Sequence, residues 1–138
     1  MSPTTKLEHK TRSQVFEAAA KPEVVSPVPI VGTWKNTNSA TRDIVEIIIT
    51  ASGVSVSVHA FGACSPSPCD WGAVPALAYS TGVGSTPAIG FTANYKFSFS
   101  TVTLVGHLAG HLLDVESFTH FTDGSGRNDY YAQMQMKK

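Results

Sequence analysis

The sequence predicts an all-β protein: an eight-stranded antiparallel up-and-down barrel behind a short N-terminal helical arm. Three observations lead there. From Ile30 onward, apolar and polar residues alternate with a period of two, as strands with one buried face do. Eight such segments follow one another at close to the roughly 8–12-residue spacing of barrels and sandwiches. The connections are short and rich in Asn, Ser, Asp and Gly, which makes neighbouring strands antiparallel and lets the meander close on itself, removing its exposed edges. A β-sandwich is the alternative. It needs at least one longer crossover, and none stands out.

Two regions are expected: an arm over 1–29 and a barrel domain over 30–138. In the arm, Thr11 to Gln14 fit a capping box, and the run 14–21 favours a helix. Val15, Phe16 and Ala19 give that helix one sticky face, and so short a helix persists only when docked on something. Pro22, Pro27 and Pro29 then impose an extended linker. The strands are expected at 31–36, 43–50, 54–62, 70–80, 88–98, 101–108, 112–121 and 129–136.

Alternation assigns the faces. Phe91, Ala93, Tyr95, Phe97 and Phe99 share one side, opposite Thr92, Asn94, Lys96 and Ser98. By the same rule Val54, Val56, Val58, Val102, Leu104, Leu108, Leu113, Val115, Ser117, Phe121, Tyr130, Ala132, Met134 and Met136 face inward. Asn36, Tyr95, Ser117, Thr119 and Tyr130 are the polar members of this interior. Ile44, Ile48, Phe61, Val105, Leu112, Phe118 and Tyr131 are apolar but fall on the outer side. Charged residues make up 14% of the chain, against about 25% in ordinary globular proteins. Together these point to a homo-oligomer, joined through the outer apolar residues and the arm.

Charge excludes some partners. Ten basic and ten acidic residues cancel, leaving no footprint for nucleic acid or an anionic membrane. No stretch reaches the ~20 apolar residues that cross a bilayer as a helix. The polar N-terminus lacks the apolar segment of a secretory signal, so the default expectation is a cytoplasmic protein, the alternative being a mature form whose leader was replaced.

The motifs that carry chemistry elsewhere are weak here. Cys64 and Cys69 flank a stiff Ser-Pro-Ser-Pro loop; a disulfide across the hairpin, two free thiols and, least favoured, a metal site are the open alternatives. His59, His107 and His120 lie on polar faces, and His107 with His111 straddles a turn; scattered surface histidines explain them best. Asp114 and Glu116 share a face, as paired carboxylates of glycosidases can, but a solvated outer face suits them better. The stretch 123–129 reads as the last hairpin turn, since a calcium loop needs ordered acidic positions and a closing glutamate that it lacks. There is no nucleophile elbow and no phosphate loop. No cofactor is expected.

The segment Ile30, Val31, Gly32, Thr33, Trp34, Lys35 and Asn36, opening a meander of this length, resembles the first strand of avidin-like and lipocalin-like barrels, the calycin group. Gly32 and Trp34 match the Gly-x-Trp of that strand, whose indole closes one end of the barrel. Asn36 sits where avidins carry a polar residue near the ligand. The resemblance implies a barrel for a small ligand, not biotin in particular. The Cys-Asp-Trp-Gly segment around Trp71 has no counterpart in it.

The function expected first is therefore a non-enzymatic binding barrel for a small apolar or aromatic ligand. Trp34, Tyr95, Phe97, Ser117 and Tyr130 would line its cavity, with Trp71 at the mouth, and Asn36, Tyr95 and Ser117 would orient the ligand. The alternatives are a structural or assembly protein with a filled barrel and a subunit-clasping arm, and, third, a cyclase-type barrel enzyme.

Overall fold

A computed structural model describes residues 24–138. The arm helix expected at 14–21, its capping box and Pro22 lie outside the described residues. The rest is a closed ring of eight antiparallel strands in sequence order: β1 (Gly32–Asn36), β2 (Ile44–Ser52), β3 (Ser55–Gly62), β4 (Cys69–Tyr79), β5 (Gly90–Lys96), β6 (Ser100–Ala109), β7 (Leu112–Phe121) and β8 (Tyr130–Lys137). Every connection joins neighbours, and β1 pairs with β8 through Lys35–Lys137 and Asn36–Met136 to complete the circle. The architecture is a closed eight-stranded up-and-down barrel, and the sandwich alternative is excluded.

The inner face is apolar and closely filled. Ile47, Ile49, Val58, Leu104, Leu113 and Val115 are 0% exposed and Phe91 is 1% exposed, so these side chains border no water-sized space on either side of the ring. Eight strands give an interior that side chains can just fill, and here they fill its middle. Gly106 helps: a Cβ there would collide with the Phe91 ring, so this position is kept bare to admit the largest fully buried side chain.

Two β-bulges break the simple alternation. In β2, Ile44 pairs with Gly62 and Glu46 with Phe61, so Val45 is an extra residue. The extra residue turns Ile44 to the same side as Ile47. Ile44, expected on the outside, is fully buried, because alternation cannot survive an inserted residue. The second bulge lies in β4. His59 pairs with Ala73 and Phe61 with Asp70, leaving Trp71 and Gly72 opposite Ala60 alone. Gly72 takes up the distortion at φ 83°, a conformation costly for other residues.

Other expectations shift near the ends. Val54 lies outside β3 and is exposed, β5 stops at Lys96, and Phe97 to Phe99 form the turn into β6. Of the outer apolar residues, Ile48, Phe61, Val105 and Leu112 are half-buried, while Phe118 and Tyr131 are largely exposed on the β7–β8 outer face.

The two ends of the barrel are built differently. One carries the β2–β3, β4–β5 and β6–β7 connections, the C-terminus and the entering chain. Ser26 bridges to Pro87, donating to the Thr86 carbonyl at 2.6 Å and accepting from the Ala88 N–H at 2.9 Å. Since β1 and the β4–β5 connection stand on opposite sides of the ring, the segment from Ser26 to Gly32 crosses this end and closes it. Ile30, in a 3-10 helix over Val28–Ile30, is fully buried there. The Trp34 indole N–H donates to the Ile30 carbonyl at 2.9 Å, and the Lys138 ammonium stands 5.1 Å from the Trp34 ring centre. The other end carries the four remaining connections and, among the described residues, no segment that crosses it.

Candidate functional site

The open end concentrates the chain's aromatic residues. Tyr95, Phe97 and Phe99 project at every second position, and their rings stack nearly parallel with successive centres 5.7 Å apart. The Trp71 ring meets this row edge-on, 5.4 Å from Tyr95 and 5.5 Å from Phe97. Next along the rim, beside Phe99, Phe121 and Tyr130 lie 6.1 Å apart. The row grades from buried to exposed: Tyr95 is buried, Trp71 and Phe97 half-buried, Phe99 and Tyr130 about half exposed. Aromatic faces left open in this way, rimmed by polar groups, mark binding surfaces more often than stray apolar side chains do.

The β4 bulge aims Trp71 at this row. The bulge frees backbone groups that Tyr95 then satisfies: its hydroxyl accepts from the Ala60 N–H at 3.0 Å and donates toward the Gly72 carbonyl at 2.7 Å, with the Val58 carbonyl at 3.1 Å. Burial pushes the Tyr95 phenol above its ordinary pKa, which keeps the donor proton in place. Gly62 supplies the space, since a Cβ there would lie 2.7 Å from the Trp71 indole nitrogen. Beyond it, Cys64 and Cys69 form a disulfide with Cα atoms 5.4 Å apart, closing the hairpin loop that the sequence left open between three readings.

Histidine–carboxylate pairs stand outside the mouth. His59 and Asp70 meet at 2.5 Å, with His59 stacked on Phe61. The His59 hydrogen bond and the Gly72 N–H hold the Asp70 carboxyl below its usual range. His120 and Asp129 meet at 2.7 Å, and Asp129 also accepts from the Phe121 N–H at 2.9 Å; its pKa is lowered by the same two contacts. His107 faces its cross-strand partner Asp114 at 3.6 Å on the outer wall. These three histidines are separate surface residues, and each has its own carboxylate partner. Glu116 accepts from the Tyr131 hydroxyl at 2.8 Å, so Asp114 and Glu116 are engaged separately. Among the described residues, no group of three or more His, Cys, Asp or Glu is placed to hold a metal ion.

The residues singled out in sequence are therefore dispersed. Trp71, Tyr95, Phe97 and Tyr130 gather at the open end. Trp34 is at the plugged end, 2% exposed. Asn36 sits beside the open end, but its amide donates to the Ile44 carbonyl at 2.9 Å and its carbonyl accepts from the Asn38 N–H at 2.8 Å, shaping the β1–β2 turn. Ser117 lies deep in the wall, and its hydroxyl has no partner among the described residues. Sequence reasoning placed Phe99 and Phe121 on the inner face without assigning them to the site, and it passed over Arg127, whose guanidinium lies over both. Only the pairing of β6 with β7 brings these three together.

Compared with known protein families, curated proteins and solved structures, the chain gives no match.

Proposed function

We propose that this protein is a non-enzymatic binding barrel whose ligand, a small molecule with an apolar or aromatic body, lies on the open aromatic end. The observation that carries the reading is the asymmetry of the ends: one is plugged by Ile30 and Trp34, the other opens on a stacked row of partly exposed rings. Desolvation of these rings supplies affinity, and stacking supplies orientation. The filled middle of the barrel favours a site at the mouth over one along the axis, so Phe97 and Tyr130 serve there with Trp71 rather than in a deeper cavity, and Phe99 joins them. The plugged end, with Trp34 under Ile30, supports kinship with the calycin group.

The neutral dye N-phenyl-1-naphthylamine, whose emission rises in apolar surroundings, tests this. The intact chain enhances its emission, and Phe97→Ala or Trp71→Ala weakens binding about tenfold, the loss of one well-buried aromatic contact. No enhancement, or enhancement unaffected by either variant, contradicts the reading.

A further inference from the structure

The loop between β7 and β8 lays one of its own side chains on the open end. The Arg127 guanidinium carbon stands 4.1 Å from the centre of the Phe121 ring and 5.9 Å from that of Phe99. Both distances are within reach of the attraction between a cation and a ring's electron-rich face. The loop holds the arginine there: its terminal nitrogen donates to Asp123 at 2.7 Å and its Nε to the Ser125 hydroxyl at 3.0 Å. Tyr130 flanks Phe121. The arrangement is a pair of aromatic faces with a positive charge on them and a carboxylate behind that charge.

We propose that the Phe99–Phe121 pair is the seat for an organic cation, an ammonium group carried on an apolar or aromatic body, and that Arg127 is an internal occupant the ligand displaces. This rests on the open end being the ligand site, and it adds the ligand's charge. Three features favour a cation there. The ring faces repel an anion. They attract a weakly hydrated organic cation better than a small inorganic one, which keeps its water. Displacing Arg127 also leaves the Asp123 carboxylate unpaired at the seat, so the exchange is cation for cation and the charge balance is kept. Access is open, since the Arg127 side chain is 52% exposed and Phe99 45% exposed. From this seat the body of the ligand lies along Phe97 toward Trp71.

The test compares benzyltrimethylammonium with neopentylbenzene, its neutral isostere with carbon in place of nitrogen, as displacers of N-phenyl-1-naphthylamine. In the intact chain the cation displaces the dye at a lower concentration than the isostere. In Arg127→Ala that preference grows about two- to fivefold, the scale of one exposed cation–ring contact. In Phe121→Leu it disappears, with the thermal transition checked to show that the variant is folded. A merely structural Arg127 would change both displacers alike. A preference that does not grow in Arg127→Ala, or an isostere that displaces as well as the cation in the intact chain, overturns the inference while leaving an aromatic-end site standing. If the dye does not bind at all, the reading of the end fails, and the cation is followed directly by NMR at the Arg127 Nε–H: an unmoved resonance at millimolar benzyltrimethylammonium overturns the inference as well.

Discussion

Tyr95 shows how one side chain serves both the fold and the site. Its ring belongs to the aromatic row, while its hydroxyl closes the gap that the β4 bulge opens between Ala60, Val58 and Gly72. Removing that hydroxyl leaves a buried N–H and a carbonyl unpaired, at a cost of about 1–3 kcal/mol. Tyr95→Phe is accordingly expected to lower the urea midpoint without changing the slope, and to make Trp71 emission more solvent-like as the bulge relaxes. An unchanged midpoint would mean that the bulge is held by other contacts. Asn36 and Trp34 teach the same lesson, since their polar atoms are spent on Ile44, Asn38 and Ile30. A polar residue near a mouth is available to a ligand only when the backbone around it asks for nothing.

At the scale of the element, the β3–β4 hairpin is the part that aims the site. The Cys64–Cys69 disulfide ties its loop, Gly62 leaves room for the Trp71 indole, and His59 and Asp70 clamp the outside. Closing so short a loop stabilises the fold by about 2 kcal/mol in the chain-entropy account. The double variant Cys64→Ser, Cys69→Ser is expected to lose about that much in denaturant unfolding, with the wall strands unchanged by circular dichroism; a loss near zero would make the bridge dispensable to the hairpin. The strands themselves were legible in the sequence, because runs such as Phe91 to Tyr95 and Leu113 to Ser117 alternate without a break. The bulges were not. An inserted residue is defined by its partner strand, so neither the inward turn of Ile44 nor the aim of Trp71 can be read from β2 or β4 alone. The same limit hid the site's composition: Arg127 is distant in sequence from Phe99, and only the register of β6 with β7 brings the two to one rim.

For the whole molecule, the account turns on a barrel with a packed middle, one stoppered end and one receptive end. The two tryptophans mark those ends separately, Trp34 under Ile30 and Trp71 beside Phe97. Each gives its own indole N–H resonance, so each end reports for itself. The most direct test follows both resonances by NMR while N-phenyl-1-naphthylamine is added to the intact chain, with Trp34→Phe used to assign them. The account predicts that the Trp71 resonance moves in a saturable way and the Trp34 resonance stays in place. Movement of Trp34 with Trp71 unmoved would put the ligand at the stoppered end and contradict it.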